Sequence, residues 1–185
     1  MISRVPFSAR DSGLTTWLWI GLIGIASILL SRAFACATPF AALATLSAFT
    51  LRGREAVALV ALVWLTNQLV GFGVLHYPWT LATFAWGAAI GVAALAGLIA
   101  AGEVVRRVVT LWVSIPLALS AAFAAYELVL YASTAFLPAG PGAFAFLVLL
   151  RIFAVNAAAI GLLLAAHRVA RLAVDHLRRR APAAP

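Results

Sequence analysis

The sequence predicts an all-α integral membrane protein with six transmembrane helices and both termini in the cytoplasm. Three observations carry this expectation. The 185 residues are 65% hydrophobic and only 10% charged, where a soluble domain carries about 25% charged residues. The apolar residues run in blocks of roughly 20, the length that crosses a hydrocarbon core of about 30 Å. All 13 basic residues are arginine, and all but Arg32 and Arg151 sort by position. Arg4 and Arg10 precede the first block; Arg52, Arg54, Arg106 and Arg107 fall in every second loop; Arg168, Arg171, Arg178, Arg179 and Arg180 follow the last block. The other loops are nearly free of positive charge, which is the positive-inside pattern of a polytopic chain.

The first span is expected over Thr15 to Ala33, with Trp17 and Trp19 at its cytoplasmic entrance as interfacial aromatics. Residues 1–14 form a cytoplasmic segment ahead of it. The second span begins after Thr38, with Pro39 in the first turn, where a missing N–H costs nothing. It ends near Leu51 and is the shortest. Arg52, Arg54 and Glu55 then make a tight cytoplasmic loop. The third span runs from Ala56 to Leu75, and His76-Tyr77-Pro78-Trp79 turns the chain at the outer surface. The fourth runs from Thr80 to Ala101, followed by Glu103, Arg106 and Arg107 on the inside. The fifth covers Val108 to Tyr131 and is expected to bend at Pro116. The outer loop Ser133 to Gly142 is rich in Pro and Gly, and the sixth span covers Ala143 to Ala166. The six-helix domain is therefore residues 15–166, and 167–185 form a basic cytoplasmic tail whose Ala-Pro-Ala-Ala-Pro end is expected to be disordered.

The net charge of +8 reads as a topology signal and as contact with the lipid bilayer, since the arginines sit at span ends rather than in one stripe. A nucleic-acid partner is not expected. One cysteine, Cys36, excludes an internal disulfide and a zinc cluster of several thiolates. No Gly-rich phosphate loop, paired His at zinc spacing or Gly-x-Ser-x-Gly is present, so no enzyme is expected. Abundant Ala and Arg without Lys is the composition of a GC-rich bacterial genome, which makes the expected location a bacterial inner membrane. On the fourth span Gly87-Ala88-Ala89-Ile90-Gly91, with Ala93 and Gly97, forms a small-residue stripe. Such a stripe serves packing within the bundle or docking of a partner subunit.

Depth along the spans sorts the polar residues. Asn67 and Gln68 lie two to three turns below the outer end of the third span, with His76 and Tyr77 at that end. Glu127 lies near the outer end of the fifth, beside Tyr126 and Tyr131. Arg151 is about two turns into the sixth from the same side, and Asn156 is deeper. Arg32, Cys36 and Thr38 occupy the outer junction of the first two spans. A charge at mid-span costs roughly 2.5–3.5 kcal/mol on insertion scales. Glu127 and Arg151 therefore either pair, pinning the fifth span to the sixth, or line a cavity open to the outside. The amides at similar depth favour a cavity. Cys36 is either a small buried apolar residue or a soft ligand for the metal of a bound cofactor, with His76 a candidate second donor.

The whole chain resembles the membrane substrate-binding (S) components of energy-coupling-factor vitamin transporters, in its size, its six spans and its internal termini. The lone outer cysteine makes it look most like the cobalamin-specific, BtuM-type members. Cys36-Ala37-Thr38-Pro39-Phe40 and Asn67-Gln68-x-x-Gly71-Phe72-Gly73 are the blocks that bear on this. The resemblance implies cobalamin as transported ligand, with no resident cofactor. It implies Cys36 as the ligand of the corrin cobalt, and amides with Arg151 on the corrin's propionamides and phosphate. It also implies an energising partner module of transmembrane subunit and ATPases. The first span departs from the family, with Ser27-x-x-x-Ser31 in place of Ala-x-x-x-Ala. Alternatives from other classes are an S component for another small ligand, a structural subunit that docks through the Gly87/Gly91 face, and a membrane enzyme using the Cys36 thiol.

Overall fold

The computed structural model describes residues 38–180, with side chains to residue 165. Among these residues there are five helices: α1 Phe40–Thr50, α2 Gly53–Gly73, α3 Leu81–Arg107, α4 Leu111–Ser133 and α5 Phe146–Arg180. The expected first span lies outside the described residues, so α1 to α5 correspond to the second to sixth. Four helices are long and apolar enough to cross a membrane: α2, α3, α4 and the Phe146–Ala165 part of α5. The secondary structure of the described residues is all helical, and the chain is a multi-pass membrane protein.

The second expected span differs from the other four. With 11 residues, α1 rises only about 16 Å, half of a bilayer core. Its N-cap is Pro39 rather than a residue before it, and Leu51 leaves the helix in an extended conformation. The next helix starts at once, because the Arg52 backbone N–H donates to Glu55 Oε2 at 3.1 Å and closes the first turn of α2. What α1 lacks in length it has in burial. Every residue from Phe40 to Ser47 is buried, and all four longer helices pack on it. Its small side chains, Ala41, Ala42 and Ala44, permit that approach. Its hydroxyls turn inward on the helix: Thr45 donates to Ala41 O and Ser47 to Leu43 O, each at 2.7 Å. No polar group is thereby shown to the apolar neighbours.

The start of α1 is closed from the far end of the sequence. Asn156 of α5, 97% buried, accepts the Ala42 backbone N–H through Oδ1 at 3.0 Å. Its Nδ2 donates to Ile152 O at 3.0 Å. A first-turn N–H has no partner within its own helix. In apolar surroundings an unmet backbone group costs several kcal/mol. Asn156 is thus a remote N-cap, and it fixes the depth of α5 against α1.

The small-residue stripe of α3 packs within the bundle. A Cβ on Gly87 would fall 2.5 Å from Gln68 Oε1, one on Gly91 2.9 Å from the Trp64 indole, and one on Gly97 3.1 Å from the Ala122 carbonyl oxygen. The Trp64 Nε1–H also donates to Gly87 O at 2.8 Å. The stripe therefore faces α2 and α4 rather than an outside partner. At its far end α3 continues to Arg107 beyond the expected Ala101, and Glu103 pairs with Arg106 and Arg107 in the last turns, where cations favour a helix C-terminus. The fifth expected span is found as a continuous helix through Pro116. The sixth runs on into the basic tail, to Arg180, because no residue before Pro182 breaks a helix.

Two outcomes follow from this packing. Asn156→Ala leaves the Ala42 N–H unmet and is expected to destabilise the protein by about 1–3 kcal/mol, with Asn156→Asp milder; thermal unfolding in detergent measures both. Ser114 Oγ is buried without a hydrogen-bond partner, so Ser114→Ala is expected to be neutral or to raise stability by up to about 1 kcal/mol in the same assay.

Candidate functional site

The polar residues of the arginine-poor end converge on one cavity of about 770 Å3. It lies between α4 and α5, which touch each other little, and is closed behind by the first turn of α1. Its polar lining is Thr38, Asn67, Glu127, Arg151 and Asn156, and its apolar walls include Phe40, Trp86, Tyr126 and Phe144. The volume is that of a pocket for a small organic molecule.

Each polar group is held by a traceable contact or by none. Thr38 Oγ1 lies 2.7 Å from Asn67 Oδ1 and donates to it, joining the start of α1 to the middle of α2 and turning the Asn67 amide nitrogen to other acceptors. Asn156 is occupied on both sides as the cap of α1. Tyr126 stacks on Phe40 with ring centroids 5.8 Å apart, so its ring forms wall. Glu127, half-buried, and Arg151, exposed toward the cavity, form no hydrogen bond or ion pair with each other or with other described residues. The expected Glu127–Arg151 pin between the two spans is thus absent from this structure. The alternative, two charges lining one cavity, is what the geometry gives.

The remaining expected residues lie elsewhere. Gln68 sits against Gly87 in the α2–α3 interface. His76 adopts a left-handed φ of 56° in the turn after α2, a conformation for which His is enriched. The chain reverses there, and the Tyr77 N–H returns to Gly71 O at 3.0 Å. Tyr77 lies over Gly71, where a Cβ would come within 2.8 Å of its ring, and joins an aromatic group with Phe72, Trp79 and Phe84. That group has the make-up of an interfacial belt. Tyr131 is exposed and meets Phe144 edge-on at 5.4 Å. Arg32 and Cys36 lie outside the described residues. No group of three His, Cys, Asp or Glu able to hold a metal ion occurs among the described residues.

Trp86 is a site residue that span-by-span reading passes over. Its indole N–H donates to Pro138 O at 3.0 Å, which draws the Pro- and Gly-rich loop between α4 and α5 across the cavity mouth. The signal was present: Trp86 and Ile90 are one turn apart on α3, on the face that lines the cavity. Comparison with protein-family models, with curated proteins and with solved structures gives no match. The class that fold and site define is a multi-pass helical membrane protein with a part-polar cavity at its arginine-poor end.

Trp86→Phe keeps the ring and removes the donor to Pro138. Backbone amides of residues 138–145 are expected to exchange hydrogen faster in that variant, by about fivefold or more for a bond of about 1 kcal/mol, with the α1 amides unchanged by mass spectrometry.

Proposed function

We propose that this chain is a bacterial inner-membrane substrate-binding component for uptake of cobalamin or a related corrinoid. It has six spans with cytoplasmic termini, and the ligand enters the cavity from the outer side. The observation that carries the reading is the cavity itself, with two charges that have no ion-pair partner among the described residues, an amide and aromatic walls at the arginine-poor end. The positive-inside rule assigns that end to the outside. Cys36 precedes the cavity-lining Thr38 by two residues, and two peptide units reach at most about 7 Å between Cα atoms. Cys36 would be the residue to hold the cobalt of a bound corrin, through a soft sulfur ligand. Asn67 and Glu127 meet the amide groups around the corrin, and Trp86 and Phe144 pack on its apolar faces.

The arginine-rich end then faces the cytoplasm and is the side on which an energising module of transmembrane subunit and ATPases engages. Another vitamin-like ligand of smaller size is the second reading. The volume of about 770 Å3 favours it, since pockets of roughly 300–1,000 Å3 serve drug-sized molecules.

Expression with cobalamin, followed by purification and ultraviolet–visible spectroscopy, tests the first reading. The expected result is a coloured protein with the base-off spectrum of a thiolate-ligated corrinoid, lost in Cys36→Ala. Unchanged spectrum and affinity in that variant overturn the assignment of Cys36.

A further inference from the structure

Glu127 on α4 and Arg151 on α5 border the same cavity from helices joined by one short loop, yet they make no ion pair. Glu55 and Glu103 lie at the opposite end of the bundle with the arginines. A charge within a span is costly unless it meets a partner or water, and adjacent helices of opposite charge can relieve that cost by closing on each other. Here the two charges stay apart on either side of an open space. Other groups of the lining add hydrogen-bonding capacity. The first turn of α1 borders the cavity at Thr38, Phe40 and Ala41, and a helix N-terminus carries partial positive charge. Asn67, whose oxygen is taken by Thr38, has its amide donors left. Glu127 is the one carboxyl group of the lining, and the Arg151 guanidinium and the Asn67 amide nitrogen are donors.

We propose that the cavity is a bipolar receptor, seating an oxyanion of the ligand on Arg151 and an amide N–H donor of the same ligand on Glu127. This rests on the corrinoid reading above for the identity of the ligand. In cobalamin the oxyanion is the phosphodiester of the nucleotide loop, and the donors are the primary amides of the corrin rim. Arg151 is well suited to the task, since a guanidinium holds a phosphate by two parallel hydrogen bonds. Glu127 does not act as a metal site, because a hard cation needs several oxygen ligands and no second carboxylate borders the cavity. The two groups together select against ligands that carry only one of the two features.

The test measures equilibrium binding to the purified full-length protein with two corrinoids, cyanocobalamin and aquocyanocobinamide. They share the amide-bearing ring, and only the first has the phosphodiester. Arg151→Gln is expected to weaken cyanocobalamin by about tenfold to a hundredfold, the loss of a charge-assisted hydrogen bond, and to leave aquocyanocobinamide within about threefold of wild type, the residual scatter of such measurements. Arg151→Lys restores part of the loss, and Glu127→Gln weakens both probes alike. An Arg151→Gln effect that is equal for the two probes, or absent, overturns the oxyanion seat while leaving the corrinoid reading intact. If wild type binds neither probe, the corrinoid reading fails, and the seat is decided by chemical protection. Phenyl phosphate, and not benzyl alcohol, is then expected to slow phenylglyoxal modification of Arg151 relative to Arg106. Equal rates with the two additives overturn the proposal.

Discussion

The bundle depends on one constraint: a short helix buried on all sides by apolar neighbours must have its backbone amides met without water. Helix α1 cannot satisfy its first turn alone, and its N-cap, Pro39, supplies no side-chain hydrogen bond. Asn156 meets the Ala42 N–H from α5. Because α5 packs on α1 while barely touching α4, this bond helps set where the last helix lies. The gap that remains between α4 and α5 is the cavity. One buried amide therefore links the stability of the core to the existence of the site.

The same economy of polar groups runs through the remainder of the structure. Hydroxyls of α1 bond back to their own helix. The Trp64 and Trp86 indoles each donate to a backbone carbonyl, one at the α2–α3 interface and one over the cavity mouth. Glycines of α3 allow the close approach of α2 and α4. Against this background, Glu127 and Arg151 stand out because they are charged, border a cavity and have no partner among the described residues. Two charges of opposite sign facing a common space within the spans point to a ligand.

Six of the twelve residues placed by depth border the cavity: Thr38, Asn67, Tyr126, Glu127, Arg151 and Asn156. Depth was legible because arginines mark one end of every span and polar groups inside a span are rare. Depth carries no information on azimuth, however. Gln68 is adjacent to Asn67 in sequence and is rotated by about 100° around the helix, which carries it to the α3 face. His76 and Tyr77 lie at the right height but belong to the turn that reverses the chain. Tyr131 lies one helical turn above Glu127 and is exposed.

The sequence by itself determined the class of protein, the helical state of the described chain and the end of the bundle at which costly groups collect. Composition, block length and arginine placement are one-dimensional properties, and a bilayer reads them in one dimension. Only the tertiary structure decided that α1 is the hub rather than an ordinary span, that Asn156 is a cap, and that the glycine stripe of α3 faces inward. It alone separated Glu127 from Arg151 across an open cavity. These depend on the rotation of each helix and on pairings between residues as much as 114 apart in sequence. Such pairings follow from the packing of all helices at once, which no single span encodes.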